Sequence, residues 1–177
     1  MAKLRKFKCY RKVKRAYTRK SKYKNKGYIK AVPDSRIVRF NMGDVKKKFR
    51  YQLDLISNDR VQVRSNAIES ARLVSNRRLE KHLGRNGYYF VIKSFPHHAL
   101  RENKMLVGAG ADRMQTGMQK AFGKVIGTAA QLKKKQTLFS IFVNKDGLDV
   151  AKRALQLANS RLPIRFNIDI KEIKKAA

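Results

Sequence analysis

Acidic residues are scarce in this chain. Twelve Asp and Glu stand against 44 Lys and Arg in 177 residues, a formal net charge of +32. That surplus is far beyond what solubility needs, and a compact state carrying it repels itself unless a polyanion neutralises it. So few carboxylates also make a paired acid–base catalytic site a poor guess. Cysteine is almost missing: Cys9 stands alone, which excludes an intrachain disulfide and a Cys-based zinc site and fits a reducing compartment. No stretch approaches the roughly 20 apolar residues of a membrane span, so no membrane partner is expected. The basic N-terminus has no apolar run and is not a secretory signal. A mitochondrial-type address is also basic and acid-poor, and composition alone leaves that open. Proline is rare, and Pro33, Pro96 and Pro163 each fall where a segment changes character.

Apolar residues are not scarce. They make up 42% of the chain, enough for a real core and too many for wholesale disorder. High charge with a normal apolar fraction points to a folded protein whose counterion is a macromolecule. The length suits one compact domain plus an appendage. The division is a basic N-terminal tail over residues 1–33 and a single α+β domain over 34–177. The tail holds no acid before Asp34. Phe7, Tyr10, Tyr17, Tyr23 and Tyr28 are scattered among its cations with no period of 2 or 3.6, so no packed core is expected there. Cations neutralise phosphates and rings stack on unpaired bases, so such a tail suits RNA. The candidate RNA contacts in it are Arg5, Lys8, Tyr10, Arg11, Lys12, Arg15, Arg19 and Lys20. The plain alternative is a solvated, disordered tail.

The body shows regular periods. "IVRFNM" (37–42) reads as a strand. In "FRYQLDL" (49–55), Phe49, Tyr51, Leu53 and Leu55 face one way and Arg50, Gln52 and Asp54 the other. "RVQVR" (60–64) repeats the alternation. A helix follows, with Asn66 as cap, Glu69 as its capping-box partner, an apolar face of Ala67, Ile68, Ala71, Val74 and Leu79, and Gly84 as terminator. "YYFVIKS" (88–94) is a strong strand. "IGTAAQL" (126–132) and "TLFSIFV" (137–143) read as two strands joined across Lys133, Lys134 and Lys135, at an ordinary charged hairpin tip or a further phosphate contact. A second helix spans roughly 146–161, with Leu148, Ala151, Leu155, Ala158 and Leu162 on one stripe, and "IRFNIDI" (164–170) is a last strand. This order predicts an α+β sandwich, two helices on one side of a largely antiparallel sheet.

Between the strands lies "NKMLVGAGADRMQTGMQKAFGK" (103–124), rich in glycine and cations with one acid, Asp112. It matches no Walker A pattern, and Gly108-Ala109-Gly110 lacks the third glycine of a dinucleotide fingerprint. As a helix capped by Asp112, with Gln115 at the reciprocal position, it puts Met114, Met118, Ala121 and Phe122 on an apolar stripe. Arg113, Gly117 and Lys120 fall on an adjacent stripe, which Lys124 extends if the helix reaches that far. Gly costs a helix about 1 kcal/mol relative to Ala, so Gly117 suits a place where another backbone comes close. Gly108 and Gly110 permit a loop running tightly along phosphates. A solvated basic face, a turn at Gly108–Gly110 and a helix C-cap at Gly123 are the bland counterparts.

No catalytic constellation emerges. Adjacent His97 and His98 would point opposite ways on a strand, His82 lies on the first helix, and no third metal ligand is near, so no metal and no cofactor are expected. Ser94, His98 and Asp112 are the residue types of a triad, but no nucleophile elbow surrounds the serine. No small-molecule substrate is indicated. The competing readings are a chromatin-type DNA binder without sequence preference and a phosphate-substrate enzyme.

The segment "HALRENKMLVGAGADRMQTGMQKAFGKVIGTAA" (98–130) closely resembles the signature of the universal large-subunit ribosomal protein family L-sixteen, L-ten-e in archaeal and eukaryotic naming. "CYR" (9–11), "VPDSRIVRFNMG" (32–43) and "AIESAR" (67–72) match the family's N-terminal pattern and first helix, so the resemblance covers nearly the whole chain. It implies an α+β sandwich without enzymatic activity, located in the cytoplasm within the large ribosomal subunit. The implied partners are large-subunit rRNA near the A-site tRNA and the peptidyl transferase centre, that tRNA, and neighbouring large-subunit proteins. It implies a glycine-rich loop at 101–111 directed towards the tRNA acceptor end. The RNA-binding residues carried over by motif are Arg101, Asn103, Lys104, Arg113, Gln115, Thr116, Gly117, Lys120, Gly123 and Lys124. Val107-Gly108 stands where eukaryotic members carry Ser-Cys, and the long eukaryotic C-terminal extension does not follow. The "e"-type motif, the length and the single cysteine favour an archaeal member.

Overall fold

The computed structural model describes residues 5–10, 13, 16–18, 29, 33–102, 108–109 and 123–173. The described elements run β1 (Asn41–Gly43), β2 (Tyr51–Ser57), β3 (Val61–Arg64), α1 (Ser65–Leu83), β4 (Tyr88–Ile92), β5 (His98–Glu102), β6 (Lys124–Leu132), β7 (Thr137–Val143), α2 (Leu148–Asn159) and β8 (Phe166–Glu172). They form a five-stranded sheet in the order β1-β4-β7-β2-β8 and a three-stranded sheet in the order β3-β6-β5. Every strand pair among the described residues is antiparallel. The α+β expectation holds, with two sheets in place of one.

The core follows from the period-2 pattern. On the large sheet Leu53 is opposite Ile141, Leu55 opposite Phe139, and Phe90 opposite Ile141, and all of these are fully buried. Phe90 and Phe139 meet edge to face at 5.2 Å, a favoured arrangement for ring quadrupoles. Both helices pack against each other and against this core. Ala71 and Ser75 of α1 and Ala151, Ala154 and Ala158 of α2 are buried, and the Ser75 hydroxyl donates to the Ala154 carbonyl at 3.2 Å. Small residues at such a contact let two helices approach closely. At the end of α2, the Asn159 side-chain amide exchanges two hydrogen bonds with the Phe166 backbone (2.9 and 3.1 Å), which ties the helix to the start of β8.

Several sequence expectations need correcting. Residues 37–40 carry no ladder and the strand starts at Asn41, although Ile37 is buried and the Phe40 carbonyl accepts from the Ile92 N–H at 2.9 Å. The capping box at Asn66 and Glu69 does not form: α1 has no side-chain cap. The helix begins at Ser65 with Arg64 at the cap position, so Asn66 already lies inside it, and Glu69 pairs with the Arg72 guanidinium (2.5 and 2.8 Å) and accepts from the Val38 N–H (3.4 Å). Arg72 is therefore buried where Val74 was expected to be, and Val74 is half-buried. Gly84 does end the helix, at φ 66°, with its N–H on the Glu80 carbonyl.

β6 and β7 are not a hairpin. β6 belongs to the small sheet and β7 to the large one, because β3 claims β6 while β2 claims β7. The chain crosses between sheets at Lys133–Lys135, and the Ser57 backbone holds that corner through Gln136 (3.0 Å) and Lys135 (2.8 Å). β5 is a strand that the sequence pattern concealed, since a register shift between Leu100 and Arg101 breaks its alternation. Arg101 and Glu102 thus belong to a strand and not to the loop that follows. Asp54 lies on the opposite face from Leu53 yet is buried, held by Ser140 (2.5 Å), Gln52 (2.8 and 2.9 Å) and Lys171 (3.4 Å). A buried carboxylate requires such partners.

Gly43 offers a direct check of the edge geometry. Its φ is +82°, and a Cβ there would fall on the Tyr88 carbonyl oxygen. Gly43→Ala should destabilise the fold by about 1–3 kcal/mol through backbone strain and overpacking, measured by urea unfolding. An unchanged midpoint would refute this placement of β1 on β4.

Candidate nucleic-acid interface

The small sheet has one face in the core and one face under the N-terminal tail. Val61, Val63, Ala130 and Leu132 point into the core. On the other face Gln62 lies opposite Gln131 and is only 3% exposed. The alternation alone would leave Gln62 to solvent; the tail buries it. Its side-chain amide donates to the Tyr10 carbonyl at 3.1 Å and accepts from Gln131 at 3.0 Å. Arg64 donates to the Arg5 carbonyl at 2.9 Å and lies over the Tyr10 ring at 5.5 Å. Arg5 pairs with Glu102 at 2.7 Å. Residues Phe7–Tyr10 form a single 3₁₀ turn between these anchors.

A second anchor lies further along. The Ala99 N–H on β5 donates to the Tyr17 carbonyl at 3.1 Å, and the Tyr17 N–H donates to His98 Nδ1 at 2.7 Å. The Arg101 guanidinium stacks over the Tyr17 ring at 3.8 Å, a close cation–π contact. The sequence predicts no packed core in the tail; among its described residues, those at 5–10 and 16–18 carry contacts to the small sheet. The missing periodicity is real, but isolated aromatics can dock singly on a polar sheet face without forming a stripe. Burial and the Glu102 carboxylate hold the Tyr10 phenol above its ordinary range, so it remains neutral.

The expected RNA contacts therefore divide. Arg5, Tyr10 and Arg101 are engaged within the protein. Lys8, Gly123 and Lys124 are exposed, and Lys124 has already entered β6, so no helix reaches it. Arg11, Lys12, Arg15, Arg19, Lys20, Asn103, Lys104, Arg113, Gln115, Thr116, Gly117 and Lys120 lie outside the described residues, as does the helix expected at 112–122. Gln62, Arg64, His98 and Glu102 were not singled out from sequence for this role. Glu102 carried a signal, as a lone acid beside a strongly basic segment. Of the triad residue types, Ser94 is buried and donates to the Thr137 carbonyl at 3.1 Å, and Asp112 is outside the described residues.

Elsewhere several acids form internal pairs: Glu69 with Arg72, Glu80 with Arg85, Glu172 with Arg50, and Asp54 and Asp169 with Lys171. Lys46, Lys47 and Lys48 and the corner Lys133, Lys134 and Lys135 are all exposed. The outward field is consequently cationic.

Comparison with known proteins decides the family. Residues 13–169 match the family model described as ribosomal protein L16p/L10e. The chain belongs to this family. It is 41% identical to the large ribosomal subunit protein uL16 of Methanococcus maripaludis, over 97% of this chain and 96% of the relative. It is 43% identical to the protein of the same name from Sulfolobus acidocaldarius, over 98% and 97% of the two. A third such protein, from Methanospirillum hungatei, is 41% identical over 85% of each. These relatives are archaeal, and the family match spans the 98–130 segment.

The tail anchor predicts a pH dependence. His98 Nδ1 accepts a proton donor only while the imidazole is neutral. Burial first, then the nearby His97 and Arg101, lower the His98 pKa from its ordinary 6.5. The undocked chain is therefore protonated first. The anchor's contribution is complete above about pH 6.5 and is lost as pH falls below it towards the lowered value. Hydrogen-exchange protection of the Tyr17 amide should fall through that window. In His98→Asn, which keeps an acceptor but cannot titrate, protection should be flat; the same loss in that variant would show the imidazole is not responsible.

Proposed function

We propose that the chain is a structural constituent of the large ribosomal subunit in the cytoplasm, held by large-subunit rRNA and by neighbouring ribosomal proteins. It sits near the A-site tRNA and the peptidyl transferase centre, supports tRNA positioning, and catalyses no reaction of its own. The observation that carries this reading is its near full-length similarity to proteins named as large-subunit components. The physical argument is consistent with it. A surplus of +32 on a folded body requires a macromolecular polyanion.

The mechanism is positional. The two sheets and the two helices form one body around a shared core. The tail is fastened to that body at Tyr10 and Tyr17, which reduces the ordering entropy left to lose when the cations meet phosphates. The glycine-rich loop after β5, through Ala111, helps shape the tRNA corridor, and the Arg113, Gly117 and Lys120 stripe presses on RNA backbone. Shape and tertiary junctions of the RNA supply specificity.

Cosedimentation in high-salt gradients tests the reading. The chain should travel with large subunits, and its affinity for isolated rRNA should fall with a log–log salt slope of about −0.9 per phosphate contacted on duplex RNA. A chain that stays at the top of the gradient, or that binds random duplex DNA as tightly as structured rRNA, would refute it. Gly117→Leu should block subunit maturation while the free protein keeps its unfolding midpoint; normal assembly of that variant would remove the stripe from the interface.

A further inference from the structure

We propose that the N-terminus of α1 is a built binding site for one phosphate group, specifically a phosphodiester of the RNA backbone. The proposal rests on the ribosomal reading above for the identity of the ligand, and on geometry for the site itself. A cavity of about 70 Å³ lies where the helix emerges from β3, with Arg36, Arg64, Ser65, Asn66 and Thr128 in its lining. A water molecule's share of the liquid is about 30 Å³, so a group larger than one water fits.

Three observations converge on an anion. First, α1 is a 19-residue helix with no side-chain cap and no acid in its first turn. The first-turn N–H groups have no intrahelical acceptor, and the helix dipole favours negative charge there. Second, Thr128 is only 6% exposed, and its buried hydroxyl has no partner. A buried hydroxyl left unpaired costs about 1–3 kcal/mol, Thr128 lines the cavity, and a turn about its χ1 would bring the hydroxyl to an acceptor held there. Third, Asn66 Oδ1 is also buried and unpaired, and rotation of its amide presents two N–H donors to the same space. Arg36 and Arg64 bring guanidinium forks matched to phosphate oxygens. Arg64 commits one nitrogen to the Arg5 carbonyl, which also links the site to the tail. Asp34 is the sole acid of the lining, and it is exposed at the edge.

The helix terminus left bare by the missing capping box, the orphaned hydroxyl and the arginines thus describe one site. Non-bridging phosphate oxygens would accept from the Ser65 and Asn66 backbone N–H groups, from the Thr128 hydroxyl and from the guanidinium groups.

The test uses the full chain in two arms. Inorganic phosphate is titrated at constant ionic strength against chloride while backbone amide resonances are followed. Saturable shifts centred on Ser65, Asn66 and Ala67 are expected. Thr128→Val, which keeps the shape and removes the donor, should weaken them about fivefold or more. Asn66→Asp, which places a carboxylate at the helix start, should abolish them. Thr128→Val should fold at least as stably as the parent without phosphate, since it removes a buried unpaired group. Equal responses in parent and variants, or non-saturating shifts spread over the lysine-rich segments, would overturn the site. In the second arm, rRNA binding by Asn66→Asp should weaken, and the salt slope should fall by about 0.9. An unchanged slope despite a positive phosphate arm would overturn the RNA backbone as ligand and leave free phosphate. If the parent itself ignores rRNA, the ribosomal reading fails, and the phosphate arm still decides the site.

Discussion

Electrostatic self-repulsion is the constraint on which the rest of this structure depends. A chain with +32 must remain compact before any polyanion arrives, and the work falls to the apolar core and to a few well-placed acids. The core is dense where the large sheet meets the helices, with Leu53, Leu55, Phe90, Phe139, Ile141 and Leu155 fully buried. Fully burying each such side chain is worth about 1.5–3 kcal/mol. The acids act as local clamps. Glu102 holds Arg5, Glu69 holds Arg72, and Asp54 and Asp169 share Lys171. The exposed Lys171–Asp169 pair adds little to stability, but together these pairs place negative charges beside particular cations and leave the remaining field outward and positive.

The small sheet converts that field into a shaped surface. Its inner face shares the core, and its outer face, which would otherwise expose Gln62 and Gln131, receives the tail. Anchoring at Tyr10 and Tyr17 has two consequences. It spends Arg5, Arg64 and Arg101 partly on the protein's own backbone and rings, so they work as positioning groups for the cations around them. It also sets the tail beside the uncapped start of α1, so the basic appendage and the proposed phosphate site form one continuous surface.

Much of the fold was legible because it rests on local periods. The alternation of Tyr51, Leu53 and Leu55, the stripe of Ala151, Leu155 and Ala158, and the stop at Gly84 all appear where the pattern puts them. β5 was hidden because a register shift after Leu100 destroys the very alternation by which strands are recognised. The hairpin expected across Lys133–Lys135 failed for a different reason. Proximity in sequence favours pairing of neighbouring strands, but β2 and β3 offered better partners for β7 and β6 from more than sixty positions away. The capping box failed because the helix starts at Ser65, before the residue expected to cap it. In the candidate site, the cationic and aromatic residue types were plain in the sequence, while their division into outward contacts and internal anchors was not.

Composition and short-range pattern, taken alone, determined the positive sign of the chain's own field, most of the described element types and the family. Those properties are sums over residues or over neighbours a few positions apart, and they survive without knowing the fold. Only the tertiary structure decided which sheet each strand joined, that Gln62 is covered by Tyr10, that Arg5 meets Glu102, and that Thr128 lines the cavity at the start of α1. Each of those facts is a contact between residues distant in sequence, and its energy depends on burial and geometry that no local period records.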